Sequence, residues 1–330
     1  RLTDDNRPYS MSYRDVAIHK AMLQDVVRTD AYEKALHQVV KPGFQVLDFG
    51  CGTGILSIFA SRAGAEQVYA VDRSLFIQVA HSIARGNGFD NIVFFHDDDE
   101  SFTLDRRVDV IVSEWMGHFL FYEAMLRPLL RLRDRFLADG GVMIPARVSL
   151  HAGLLSDASL FEDLSFFRER PYGINFAPIE DTPLCQPELE NIEPRQILER
   201  TVDLGTLDLH TLKSPPKEFV GKVVPDREAT IYGLCGWFSA NLTADVAFGT
   251  GPKDQPTHWN QVLFPLTRPF QVSPAREVSV RISPPDDTAG GDPTWSWSIS
   301  DKDQSLRMDE LHHRQQLDPY LPKGPLRDRI

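Results

Sequence analysis

The chain has 330 residues, 25% charged and 42% hydrophobic, which is globular composition, and its length predicts two domains. A formal net charge of −12 supplies no basic footprint for a nucleic-acid duplex and favours cationic partners instead. No apolar run approaches the roughly 20 residues of a membrane helix, and no secretory signal is read at the start.

Residues 14–40 carry apolar side chains at helical spacing (Val16, Met22, Leu23, Val26, Val27) and predict one or two helices, ended by Lys41-Pro42-Gly43. Predicted strands follow at Phe44–Phe49, Gln67–Val71, Asn91–Phe95, Val108–Ser113 and Gly141–Ile144. Helices are predicted between them at Ile55–Arg62, near Leu75–Arg85 and at Phe121–Leu137. Such alternation predicts a parallel, doubly wound α/β sheet with ligands at the carboxyl ends of its strands. Only four of the 23 prolines precede residue 146. Beyond it, short β-rich runs alternate with Pro, Gly and Asp, so the second domain, 146–330, is read as mostly β. Three widely spaced cysteines, Cys51, Cys185 and Cys235, fit neither a zinc site nor a disulfide framework. They predict a reducing compartment, the cytoplasm or a eukaryotic nucleus, and no metal site is expected.

The first strand runs into Gly50-Cys51-Gly52-Thr53-Gly54 and then a helix. Glycines there allow a tight turn and close approach of backbone to a ligand at a helix N-terminus. The spacing is GxGxG, so it departs from the GxGxxG of nicotinamide dinucleotide sites, and no GxxxxGK[ST] phosphate loop occurs. Asp72 ends the second strand, where a carboxylate either accepts ribose hydroxyls or caps the strand end.

The segment Ser113–Met125 reads SEWMGHFLFYEAM. Glu114 closes a strand and Glu123 follows across an almost wholly apolar and aromatic stretch. Two carboxylates in such surroundings are costly unless a cation lies between them. A guanidinium suits them, being planar, always charged and matched to carboxylate pairs. Paired glycosidase carboxylates are the competing reading, disfavoured by the glycine loop upstream.

Together these segments resemble the protein arginine methyltransferase family. The matching pieces are Val46–Leu56 (VLDFGCGTGIL), SEWMG with Glu123, Thr257-His258-Trp259, Tyr9–Tyr13 (YSMSY) and Ile18–Thr29 (IHKAMLQDVVRT). The resemblance implies a Rossmann-like methyltransferase domain over 1–145, with N-terminal lid helices, and a β-barrel-like substrate domain over 146–330. A helical dimerisation arm at about 159–194 in the second domain implies a homodimer. The implied cofactor is S-adenosyl-L-methionine, held by Asp48, Gly50 and Gly52, with Arg28 on its carboxylate and Asp72 on its ribose. Glu100 would meet the adenine amino group, its register in the run His96–Glu100 open by one residue. Tyr13, His19 and Met125 would line the cofactor pocket. Glu114 and Glu123 would clamp the acceptor guanidinium, with His258 as the third catalytic residue and Tyr9, Met22 and Trp259 on the substrate side. Two departures from the family pattern are the shorter Asp72, where Glu is usual, and Ser10, where Phe is usual.

The implied activity is methyl transfer to arginine in a protein or peptide, giving monomethyl and asymmetric dimethyl products. Free arginine or a small guanidino metabolite is an alternative acceptor, and a catalytically silent cofactor-binding module is an alternative of another class. A nicotinamide oxidoreductase is disfavoured by Gly54. The proton released on transfer would go to a carboxylate or to His258.

Overall fold

The computed structural model describes residues 16–285 and 294–310, so Tyr9 and Tyr13 lie outside the described residues. The chain forms two compact units that interleave along the sequence. Among the described residues, one comprises 16–150, 206–215 and 238–260; the other comprises 151–205, 216–237, 261–285 and 294–310. The segments 206–215 and 238–260, assigned by the sequence to a contiguous second domain, therefore cluster with the first.

In the first unit, helices α1 (Val16–Gln24) and α2 (Val26–Val39) precede β1 (Gln45–Phe49), α3 (Ile55–Arg62), β2 (Gln67–Asp72), α4 (Ile77–Gly86), β3 (Ile92–His96) and β4 (Val108–Val112). Helix α5 (Leu126–Phe136) leads directly into β5 (Leu137–Ile144). The five strands pair in parallel in the order β3-β2-β1-β4-β5. Chain order reverses between β1 and β4, which opens a crevice at their carboxyl ends. Both strands are mostly apolar, apart from Gln45, Asp48 and Asp109, and almost wholly buried, as a parallel sheet covered on both faces requires. Helix α2 buries one stripe, Arg28, Tyr32, Ala35 and Leu36, at the spacing of a helix face, and the first member of that stripe is a charge.

Helix α5 begins five residues later than the sequence predicts. Pro128 explains this: it lacks an N–H and is tolerated only in a first turn, and a start at Leu126 puts it there. Residues 121–125 are thereby left to the preceding loop, which carries Glu123. Buried Arg133 near the end of α5 donates from Nη1 to the carbonyls of Leu209 and Leu212, each at 2.7 Å. That contact secures the segment 206–215 within this unit.

The second unit is antiparallel. Strands β9 (Phe219–Val223), β13 (Val278–Ser283), β14 (Ser296–Ser300) and β15 (Ser305–Asp309) form a sheet in the order β15-β14-β13-β9. Val278, Val280 and Ile282 alternate inward with Trp297, Ile299, Leu306 and Met308, the period of two that buries one face of each strand. Strands β7 (Glu188–Glu190) and β12 (Gln261–Val272) join a second sheet with β10 (Ala229–Asn241), β6 (Arg147–Leu155) and β8 (Val202–Asp208), ordered β7-β12-β10-β6-β8 with β11 (Ala247–Gly249) paired to β10; its residues 147–150, 206–208, 238–241 and 247–249 cluster with the first unit. Between β6 and β7 the chain forms helix α6 (Ser159–Leu164) and three short 3-10 turns, with Phe166, Tyr172 and Ile174 exposed. The pairing of Arg168 with Asp181 ties this stretch to itself.

Arg133→Leu should leave one buried and one half-buried carbonyl without their donor and lower the unfolding free energy by about 1–3 kcal/mol. Urea denaturation checks this; an unchanged midpoint would show the contact to be neutral.

Candidate active site

The turn from β1 into α3 is built from left-handed glycines. Gly50, Gly52 and Gly54 have φ of 75°, 52° and 77°, a region that disfavours residues with a Cβ. The amides of Gly50 and Cys51 donate to the Val71 carbonyl at 2.8 and 3.2 Å. The Gly52 amide donates to Asp72 Oδ2 at 2.9 Å, and Ser74 N–H donates to Asp72 Oδ1 at 2.7 Å. Asp72 is therefore fixed at the end of β2 by the loop it would serve, while each oxygen retains a further lone pair. Two side chains expected around a cofactor crowd the same turn. A Cβ on Gly50 would stand 3.0 Å from Met125 Cε, and one on Gly52 would stand 3.3 Å from His19 Cε1. His19 itself stacks on Phe76, ring centroids 3.8 Å apart.

Asp48 is fully buried in β1. Its Oδ2 accepts from Ser57 Oγ at 2.6 Å, whereas Oδ1 has no hydrogen-bond partner among the described residues. Burial pushes its carboxyl up to about 7, with the charge of Asp72 adding to the rise and Ser57 and Arg28 opposing it.

Arg28 and Glu114 meet. Arg28 Nε and Nη2 each lie 3.2 Å from Glu114 Oε2, and Nη1 donates to the Met22 carbonyl at 3.4 Å. The residue expected on the cofactor carboxylate and a residue expected on the acceptor guanidinium are thus partners of each other. Met22 reaches the site through this carbonyl, which Thr29 Oγ1 also engages at 3.2 Å. Glu114 Oε1 accepts from Met116 N–H at 3.1 Å. Glu123 folds back over Gly117, where a Cβ would stand 2.7 Å from Glu123 Cγ, so only glycine admits it. The loop between the glutamates holds Phe119, Leu120 and Ala124 at φ of 50°, 68° and 51°. Left-handed non-glycine residues cost of order 1–3 kcal/mol each and persist where surrounding structure forces them, commonly at functional sites.

His258 is held by a residue the sequence reading missed. Asp25 Oδ2 accepts from His258 N–H at 2.9 Å and lies 2.7 Å from His258 Nδ1. Its Oδ1 accepts from Arg28 N–H at 3.0 Å and caps α2. Burial raises the Asp25 carboxyl, but the hydrogen bonds from His258 and Arg28 outweigh it and hold the group below its usual range. A carboxylate accepts only, so Nδ1 carries the proton and Nε2 of the neutral ring is left as an acceptor. The signal for Asp25 was present in the sequence: an Asp between two helical runs is a helix cap. Phe76 and His118 were missed as well, and nothing in their spacing marks them.

Two expected residues sit differently from the sequence reading. Trp259, expected on the substrate side, is only 2% exposed. It stacks on Phe248 and donates its N–H to the Met116 carbonyl, so it braces the loop that carries His258. Glu100 is exposed and 3.7 Å from Arg131 Nη2, while the buried carboxylate of the acidic run is Asp99, also engaged by Arg131.

Residues 29–144 match the family model for ribosomal protein L11 methyltransferase, and residues 146–300 match the arginine methyltransferase oligomerization subdomain. Protein arginine N-methyltransferase 1.1 of Arabidopsis thaliana is 36% identical over 278 residues, covering 80% of this chain and 71% of the relative. The chain belongs to the protein arginine N-methyltransferase family. A probable protein arginine N-methyltransferase 6.1 of Oryza sativa subsp. indica is 33% identical over 324 residues, 86% of this chain and 85% of its own. Among solved structures, the Trypanosoma brucei PRMT1 enzyme-prozyme heterotetrameric complex with AdoHcy superposes with a TM-score of 0.82 at 29% identity. It covers 90% of this chain and 99% of that one.

The family's cofactor, S-adenosylmethionine, fits the residues present. The unpartnered, fully buried Asp48 oxygen suits its ammonium group, and the glycine turn admits backbone approach beneath His19 and Met125. An ammonium needs the ionised carboxylate, so affinity for S-adenosylhomocysteine should fall as pH drops below about 7. Stability has the opposite sign. With a folded-state value near 7 against 3.8, the folded protein binds more protons in that window, and Asp48 lowers stability as pH rises through it. Asp48→Asn should flatten that slope and weaken S-adenosylhomocysteine at pH 8 by roughly tenfold to a hundredfold, the loss of one charge-assisted hydrogen bond. Calorimetry at pH 6 and 8 reads both effects; equal affinity of variant and parent at pH 8 would exclude Asp48 as the ligand.

Proposed function

We propose that this protein transfers the methyl group of S-adenosylmethionine to a guanidino nitrogen of arginine within a protein or peptide. The observation that carries the reading is the loop after β4. It offers two carboxylates, Glu114 and Glu123, at the sheet's crossover crevice, and Glu114 already holds a guanidinium there, that of Arg28.

When bound, the cofactor supplies a sulfonium methyl that needs little further activation. The protein's task is alignment and charge placement. Asp48 would take the cofactor ammonium, Asp72 its ribose hydroxyls, and Arg28 its carboxylate. Glu114 and Glu123 would bind the acceptor guanidinium through two nitrogens and concentrate positive charge there, leaving the third nitrogen more nucleophilic. His258, its Nδ1–H committed to Asp25, offers Nε2 for the departing proton.

Glu123→Gln should retain cofactor affinity and lose turnover by roughly tenfold to over a hundredfold, the value of one charge-assisted pair expressed in the transition state. A fall below about threefold at saturation would remove Glu123 from the clamp. The acceptor is tested by competition between free L-arginine and an N-acetylated, C-amidated arginine peptide, read by mass spectrometry with labelled cofactor. Blocking both backbone charges should leave methylation intact; a strong preference for the free amino acid would reverse the assignment.

The same reading makes the protein a homodimer through the stretch 159–194. Support comes from the match to the oligomerization subdomain and from exposed Phe166, Tyr172 and Ile174. Light scattering should give twice the chain mass at micromolar concentration, and a monomer would refute it.

A further inference from the structure

His118 lies between the two glutamates on their loop, and no role above uses it. Its Nδ1 is 3.0 Å from the Trp259 carbonyl oxygen. A carbonyl only accepts, so Nδ1 carries the proton and donates it, and the lone pair of the neutral ring is on Nε2. Among the described residues Nε2 has no hydrogen-bond partner. The ring stands edge-on to Tyr122 at 6.1 Å, which fixes its second face. The titratable groups that act on it are Glu114 on its own loop and His258 on the segment that supplies the Trp259 carbonyl, with Tyr122 against the ring. Burial, with His258 adding to it, pushes the imidazole below its ordinary value despite the Trp259 carbonyl and Glu114. The ring is therefore neutral at physiological pH.

A neutral acceptor at this place solves a problem that a third carboxylate would aggravate. The acceptor guanidinium must be gripped, yet its reacting nitrogen must keep its lone pair available and shed a proton after transfer. Another anion would stabilise the cation and oppose that loss, whereas an imidazole nitrogen takes an N–H bond and fixes its direction without adding charge.

We propose that His118 is a positioning residue for the acceptor, its Nε2 accepting a hydrogen bond from the reacting guanidino N–H while Glu114 and Glu123 hold the other two nitrogens. The proposal rests on the arginine methyltransferase reading above.

The test compares the full-length protein with His118→Phe and His118→Gln, using the blocked arginine peptide across pH 5.5 to 9. His118→Phe should lower kcat/KM for the peptide roughly tenfold to a hundredfold while S-adenosylhomocysteine affinity stays at the parent value; its Tm should drop, because the Trp259 carbonyl loses its donor, and His118→Gln controls for this. His118→Gln, whose amide oxygen accepts, should recover a large part of that loss. With S-adenosylmethionine kept saturating at every pH, so that Asp48 protonation does not limit cofactor binding, the parent's activity should fall on the acid side as the imidazole protonates, and that limb should flatten in His118→Gln, whose acceptor does not titrate. A parent that methylates no arginine peptide overturns the functional reading and this proposal with it. An active parent with His118→Phe within about threefold, or with His118→Gln no better than His118→Phe, overturns this proposal alone, as does an unchanged acid limb in His118→Gln.

Discussion

A buried guanidinium held on a buried carboxylate, Arg28 on Glu114, is the constraint from which the rest of the site follows. Both side chains are less than a tenth exposed, and they lie 86 residues apart in sequence. Such a pair adds little net stability over an apolar equivalent, but removing one partner strands the other charge, at about 3–5 kcal/mol. Helix α2 is therefore bound to place its first turn against the end of β4. Arg28 is also the residue whose amide caps onto Asp25, and Asp25 holds His258. One ion pair thus sets the positions of the candidate cofactor anchor, the first clamp carboxylate and the histidine.

The sheet supplies the place for this arrangement. The β1–β4 crossover puts the carboxyl ends of two neighbouring strands side by side, with their following loops diverging above them. One loop is relaxed because its left-handed residues are glycines. The other is strained because its left-handed residues are Phe119, Leu120 and Ala124. The strain is held by packing: Phe119 and Leu120 are buried, Gly117 makes room for Glu123, and the Trp259 indole donates into the same loop at Met116. A loop held this way keeps its carboxylates in place before any ligand arrives, which is what catalysis by alignment requires.

The aromatic cluster around Trp259 extends this support. Phe238, Phe248 and Trp259 pack together, His258 lies on the Trp259 ring, and the Trp259 carbonyl receives the His118 imidazole. Asn260, immediately after, is another left-handed residue. Packing, strain and histidine placement therefore belong to a single short segment, far along the chain from the glutamates it serves.

By itself the sequence determined the alternation of strands and helices, the glycine turn and the glutamate pair. Each is a local pattern whose physics lies within a few residues: apolar period, backbone freedom, the cost of charge among aromatics. It also overextended α5, because periodicity outweighed the meaning of Pro128. Tertiary structure decided what no local pattern encodes. It gave Arg28 to Glu114, Asp25 to His258 and the Trp259 carbonyl to His118. It turned the Trp259 indole inward, chose Asp99 over Glu100 for burial, and drew 206–215 and 238–260 into the first unit. These outcomes depend on which charge or ring finds a partner from a distant segment once water is excluded. That competition is settled by desolvation and hydrogen-bond satisfaction in the folded chain, and residue spacing carries no record of it.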